Sequence, residues 1–148
     1  MEIAYLTRRV RFAAAHRYHR PDWSDDENRR VFGACNNPVG HGHTYTLEVT
    51  VEGAIDPRTG FSVDLGALDR VLEEHVIRVF DHQHINHAVE AFAYGGLVPT
   101  CENLLAYLWP RLRDAIPAGA RLFRLRLYEG PDLFVDYFGG APIPHEQR

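Results

Sequence analysis

The chain has 148 residues, 45% of them hydrophobic and 24% charged, with a net charge of −4. That is enough for one packed domain over residues 1–148 and too apolar for wholesale disorder; the charge gives no support to a nucleic-acid partner, and no apolar run reaches the roughly 18 residues of a membrane span. All 16 basic residues are arginine, which excludes a Schiff-base or P-loop lysine, and two cysteines form no disulfide framework and suit a reducing cytoplasm.

Met1 to Arg9 has no basic region followed by an apolar stretch, so no secretory signal is expected. Ile3 to His16 reads as a first strand with Val10, Phe12, Ala14 and His16 on one face. Arg17 to Asn28 reads as a polar surface loop, and Gly33 to Gly40 as an irregular stretch. His43 to Val51 alternates as a second strand, with Tyr45, Leu47, Val49 and Val51 facing the core. After a turn at Asp56 to Gly60, Asp64 can cap a helix whose apolar positions Leu65, Leu68, Leu72, Val76 and Val79 run to about Phe80.

Asp81 to Pro99 reads as a loop with three histidines. Thr100 can cap a second helix with Leu104, Leu105, Leu108, Leu112 and Ile116 as its stripe. Pro110 interrupts that stripe at a cost of about 3 kcal/mol, so a kink or break is expected there. Arg121 to Glu129 and Leu133 to Phe138 form a hairpin around Gly130-Pro131-Asp132, and Gly139 to Arg148 reads as a loose tail. The order β-β-α-α-β-β predicts an α+β fold: a four-stranded antiparallel sheet with two helices on one face. Its two free edges need protection, which points to oligomerisation.

The chemistry concentrates in histidines. His41-Gly42-His43 opens the second strand, and residues two apart on a strand face the same way. His16, ending the first strand, is available as a third nitrogen; three histidines and an open position suit a catalytic zinc ion. The alternative is a pair of half-exposed polar histidines beside a turn. Cys35, in a loop six residues before His41, is either an inert small residue or a base or nucleophile whose pKa a metal or a protonated histidine would lower. Asp81-His82 is a weak proton-relay signal, since neighbours in sequence usually diverge, and His84 and His87 read as solvated. Glu102 suits the first turn of a helix, and Glu129 is a strand-end carboxylate.

Six segments occur in one order: Phe12 to His16, Asp26-Glu27-Asn28, Phe32 to His43, Asp81-His82, Pro99 to Asn103, and Tyr128-Glu129. The string Cys35-Asn36-Asn37-Pro38-Val39-Gly40-His41-Gly42-His43 is the most specific of them. Together they resemble the 6-pyruvoyltetrahydropterin synthase family, over about Phe12 to Val135. The resemblance implies the tunnelling fold, with trimeric barrels stacked as a homohexamer and active sites between subunits. It implies zinc on His16, His41 and His43, and 7,8-dihydroneopterin triphosphate as substrate. Cys35 would be the base, and Asp81 and His82 the dyad that serves it across a subunit boundary. Glu129 resembles the pterin anchor, and Thr100, Cys101 and Glu102 match the neighbouring pterin-pocket segment. The product would be 6-pyruvoyltetrahydropterin, on the way to tetrahydrobiopterin, with triphosphate released.

One alternative is a 6-carboxytetrahydropterin synthase of queuosine biosynthesis, which also releases acetaldehyde. A second is a non-catalytic pterin- or metal-binding relative. The long segment between Cys35 and His41 resembles the pyruvoyl branch. Cys101 departs from the family's usual threonine, and Gly130-Pro131 and Pro110 depart from its turn and helix. The resemblance does not say which arginines hold the triphosphate; Arg17, next to His16, is one candidate.

Overall fold

The computed structural model describes residues 1–143. Two long strands form its centre. β1 (Ile3–His16) pairs antiparallel with β2 (His41–Ala54) along their whole length, from Ile3 opposite Ala54 to His16 opposite His41. Between them lies α1 (Asp25–Phe32), whose first half falls in the stretch expected to be a polar surface loop. Its local signals are complete: the Ser24 hydroxyl accepts from Glu27 N at 3.1 Å, acidic residues fill the first turn, and Gly33 ends it at φ 56°. A 3-10 turn over Gly33–Asn36 then carries Cys35.

The next helix begins at Asp64, whose carboxylate accepts from Ala67 N at 3.0 Å. It runs as α2 (Leu65–Leu72), a π turn over Glu73–Ile77, and α3 (Arg78–Phe80). Leu68, Leu72, Val76 and Phe80 are all buried. Positions four apart drift around a 3.6-residue helix, and the wider π turn brings the later pair back toward the core.

The expected loop after Asp81 is largely ordered. β3 (Gln83–His84) pairs in parallel with Ala14 and Ala15 of β1, and α4 (Ile85–Ala88) follows. Ile85, Asn86, Val89 and Phe92 are buried, which fixes the segment to the core. His84 is half-buried and stacks on His87 with ring centroids 4.1 Å apart, so the expectation of two solvated rings fails for His84.

α5 (Cys101–Ala115) passes through Pro110 without a break. Leu104, Leu105 and Leu108 on one side of the proline and Leu112 on the other are all buried. Arg111 Nη1 donates to the Tyr107 carbonyl at 2.8 Å, in the turn the proline disturbs. That packing outweighs the proline's cost of about 3 kcal/mol. β4 (Ala120–Gly130) and β5 (Leu133–Tyr137) complete the sheet. The five strands stand in the order β3-β1-β2-β4-β5, one more than expected because β3 was hidden in the loop.

One face of the sheet carries Phe12, Tyr45, Leu47, Val49, Leu125 and Leu127, which form one core with the leucines of α2 and α5. The opposite face is polar, with Glu48 buried beside Arg9 at 2.6 Å and Arg126 gripping Asp136 at 2.6 and 2.9 Å. β3 covers only two residues of β1, so most of that edge is open among the described residues, as is the outer edge of β5. Of the tail Gly139 to Arg148, residues 144–148 lie outside the described residues.

Candidate metal centre

At the end of β1 and the start of β2 the core-facing row changes from aromatic to imidazole. His16 and His41 sit opposite each other, and His43 lies opposite Ala14. The small Ala14 leaves room beside His43, and Gly42 lies on the reverse face. The ligand atoms of His16, His41, His43 and Glu129 all lie within 4.8 Å of one another. His16 Nε2 is 3.3 Å from His41 Nε2, and His43 Nε2 is 2.8 Å from Glu129 Oε1. That last approach lacks hydrogen-bond alignment, and His43 Nε2 is a buried nitrogen with no hydrogen-bond partner. A metal ion among these ligand atoms would give that nitrogen its partner.

The second nitrogen of His16 is held from behind. Tyr45 Oη lies 2.7 Å from His16 Nδ1. When Nε2 serves as a ligand, Nδ1–H donates to that oxygen and fixes the ring. Burial pushes the Tyr45 phenol well above its ordinary pKa, so it stays protonated. The Tyr18 ring, 4.6 Å from that of His16, closes the other side. Burial and the three neighbouring imidazoles hold His16 down at about 3, and burial also lowers His43. Both stay neutral at pH 7, the form that binds a metal ion.

Backbone requirements support the same spot. Gly40 has φ +73°, and a Cβ there would lie 2.6 Å from the His16 carbonyl. Only glycine lets the chain turn so close to His16 before entering β2.

Cys35 is tied to the segment after His16. Its carbonyl accepts from Tyr18 N at 2.8 Å, and the Asn36 amide donates to the Tyr18 carbonyl at 2.7 Å. Burial, then the Glu129 carboxylate, push the Cys35 thiol up; the lowering expected from the sequence depends on a metal or a protonated histidine beside it. A metal cation in the cluster would oppose that field.

Glu129 has the same strand parity as the buried Leu125 and Leu127, and the β4–β5 pairing shifts register around it. Such an irregularity re-aims a side chain. Its second oxygen lies 3.7 Å from the Cys101 thiol, which donates to it. Burial and Glu129 push that thiol up to about 12, so Cys101 is a hydrogen donor here. Thr100 spends its hydroxyl as the cap of α5, accepting from Asn103 N at 3.2 Å, and Glu102 is exposed in the first turn.

Asp81 and His82 do converge, against the general tendency of sequence neighbours. His82 adopts φ 60°, which turns its ring back so that Nδ1 lies 3.0 Å from Asp81 Oδ2. The pair is anchored on β1: Ala13 N donates to Asp81 Oδ1 at 2.9 Å, and His82 N donates to the Ala13 carbonyl at 2.6 Å. The Ala13 amide, then the His82 ring, hold the Asp81 carboxyl below its usual range. Among the described residues no hydrogen bond or ion pair joins this dyad to Cys35.

Sequence reasoning thus found the three histidines. It missed Tyr45 as their support and Glu129 as a member of the cluster. The signal for Tyr45 was its parity with His41 and His43.

The profile of the 6-pyruvoyl tetrahydropterin synthase family matches residues 5–140. The chain is 40% identical to 6-pyruvoyl tetrahydrobiopterin synthase of Homo sapiens over 136 residues, 92% of each chain. It is 26% identical to 6-carboxy-5,6,7,8-tetrahydropterin synthase of Rickettsia bellii, over 88% of this chain and 96% of that one. The structure of Caenorhabditis elegans 6-pyruvoyl tetrahydropterin synthase superposes with a TM-score of 0.87 at 34% identity, covering 95% of this chain and 98% of that one.

Proposed function

We propose, because the chain belongs to the 6-pyruvoyl tetrahydropterin synthase family, that it is a zinc-dependent lyase converting 7,8-dihydroneopterin triphosphate to 6-pyruvoyltetrahydropterin with release of triphosphate. The observation that carries this reading is the cluster of His16, His41 and His43 beside Glu129. The greater identity to the pyruvoyl relative than to the carboxy relative favours the pyruvoyl product.

His16, His41 and His43 would hold zinc, since all three present nitrogen to one point and Tyr45 braces the most buried. Bound there, zinc supplies Lewis acidity that makes a carbon-bound proton beside the substrate's side-chain oxygens easier to remove. Cys35, as thiolate, takes that proton. His82 moves protons, with Asp81 orienting its ring through the 3.0 Å contact and stabilising its charged form. Glu129 anchors the pterin: each carboxylate oxygen keeps a lone pair beyond its present neighbour, and two parallel N–H bonds grip one ring edge. Thr100, Cys101 and Glu102 border that pocket, Cys101 by holding Glu129.

The assembly is a homohexamer closed through the open edges of β1 and β5, with the dyad serving the cysteine of a neighbouring subunit. That supplies the thiol partner which, among the described residues, the exposed His82 does not meet by a hydrogen bond. The two free cysteines suit the cytoplasm, and among the described residues no helix is long and apolar enough to cross a membrane.

The test is anaerobic incubation of zinc-loaded protein with 7,8-dihydroneopterin triphosphate and mass analysis of the products. A pyruvoyl pterin plus triphosphate is the expected result. A carboxy pterin with acetaldehyde would move the chain to queuosine synthesis, and no turnover would leave a binding protein. A Cys35→Ala variant that keeps zinc and full turnover would remove the thiol from the mechanism.

A further inference from the structure

We infer that Arg17 and Arg29 form a subsite for phosphoryl groups, placed to hold part of the substrate's polyphosphate tail beside the turn that carries Cys35. This rests on the substrate reading above, because the histidines, thiol and Glu129 offer that tail no cationic side chain. A cavity of about 220 Å³ opens between the end of β1, α1 and the 3-10 turn, and both arginines line it with Gly33, Asn36 and Asn37.

Arg17 follows the cluster residue His16 directly. Asn86 clamps its backbone from both sides, accepting from Arg17 N at 2.7 Å and donating to the Arg17 carbonyl at 3.1 Å. Its guanidinium spends Nε on the Asn36 carbonyl at 3.0 Å. Among the described residues no carboxylate lies within ion-pair distance of it. A half-buried guanidinium with no counter-ion and free Nη donors facing a cavity is built for an anion, and its planar fork matches phosphate oxygens.

Arg29 reaches the cavity from α1. Its ion pair is with Asp26, three residues earlier, and both side chains are mostly exposed. Such pairs contribute about 0–1 kcal/mol, so a multiply charged phosphate displaces the partner readily. Gly33 adds open space: a Cβ there would meet nothing within 4 Å. Asp25 is the carboxylate on the rim. The lining itself carries two guanidiniums and one carboxylate, and once a phosphate displaces Asp26 from Arg29 both forks face the cavity, which suits part of the tail rather than all of it.

The neighbouring Arg30 supplies the control. It lies on the same helix, is held by Glu27 at 2.6 and 3.0 Å, and does not line the cavity. Full-length wild-type protein, Arg29→Gln, Arg17→Gln and Arg30→Gln would be titrated with inorganic tripolyphosphate and, separately, with unphosphorylated dihydroneopterin. The tripolyphosphate Kd is expected to rise about tenfold or more in Arg29→Gln and Arg17→Gln, and to stay at the wild-type value in Arg30→Gln. Dihydroneopterin binding should stay level in Arg29→Gln. Arg17→Gln also loses the bond to Asn36, so Arg29→Gln, on an exposed helix face, is the deciding variant. No tripolyphosphate binding to wild type, or equal affinity in Arg29→Gln and Arg30→Gln, overturns the subsite. Tripolyphosphate binding that Arg29→Gln weakens, without turnover of dihydroneopterin triphosphate, keeps the subsite and removes the substrate reading; turnover with an unchanged KM in Arg29→Gln does the reverse.

Discussion

Two histidine groups meet the end of β1, one through His16 and one through the Asp81–His82 bonds to Ala13, and they live in different surroundings. The His16 ring is fully buried, backed by Tyr45 and faced by two further imidazoles. The His82 ring is 82% exposed and held by one carboxylate next to it in sequence. Desolvation keeps the first neutral. Exposure leaves the second free to exchange protons with whatever reaches it. The first group is complete within one chain. The second would become half of an arrangement in the proposed assembly, in which another subunit brings the thiol.

The sharpest way to break this contrast is to remove one member of the buried group. His16→Ala should abolish tight zinc binding and with it turnover, because only His41 and His43 remain as histidine ligands, the braced one is lost, and Glu129 is committed to the pterin. Metal content after dialysis, measured against wild type, decides the matter. Stoichiometric zinc in His16→Ala would show that the cluster does not centre on that ring. The exposed group should behave in the opposite way. His82→Ala is expected to retain zinc in full while kcat drops by about 10² to 10⁴, the usual range for a lost proton-transfer group. Loss of zinc in that variant would mean that the two groups are one.

The same contrast separates what was legible in the sequence from what was not. His41-Gly42-His43 could be placed because strand parity puts both rings on one side, and the Tyr45-to-Val51 row placed the core below them. Parity also pointed to Tyr45, but its burial among leucines and valines reads first as packing, and only the 2.7 Å contact gives it a second role. Glu129 joins the cluster through a local shift in strand pairing, which alternation cannot foresee. α1 was missed because its apolar stripe is thin: Ser24, the acidic first turn and Gly33 mark its ends, yet among its residues only Asn28 is buried. The Asp81–His82 contact depends on a positive φ at a residue that is not glycine, which nothing in the sequence announces.

A smaller effect sharpens the role of the brace. Tyr45→Phe keeps the ring, which stacks on Phe12 at 5.0 Å, and removes only the oxygen behind His16. Zinc affinity should fall about 10- to 100-fold, as when other outer-shell partners of a ligand are lost. Competition with a chelator of known affinity measures it. An unchanged affinity would return Tyr45 to a purely packing role.

The smallest expected effect concerns the metal-free chain and its response to acid. His16 sits at about 3 in the fold against 6.5 when unfolded, chiefly through burial, and His43 is lowered in the same direction. Below pH 6.5 the unfolded chain therefore takes up protons that the fold refuses. Stability from this source is intact above about pH 6.5 and declines as pH falls toward about 3, by about 1.4 kcal/mol per pH unit for one such proton. Asp81 has the usual sign for a carboxyl, with its contribution present above its ordinary pKa and lost in stronger acid, so it enters only at the bottom of that window. Urea unfolding at pH 7 and pH 5 in the presence of a chelator should show the loss in wild type and a shallower one in His16→Gln, where the most deeply buried of the proton-refusing rings is gone. Zinc should steepen the wild-type dependence, since its ligands must be deprotonated to bind. An equal slope in both proteins would place the acid sensitivity outside the buried group and leave the difference between the two histidine environments without a thermodynamic consequence.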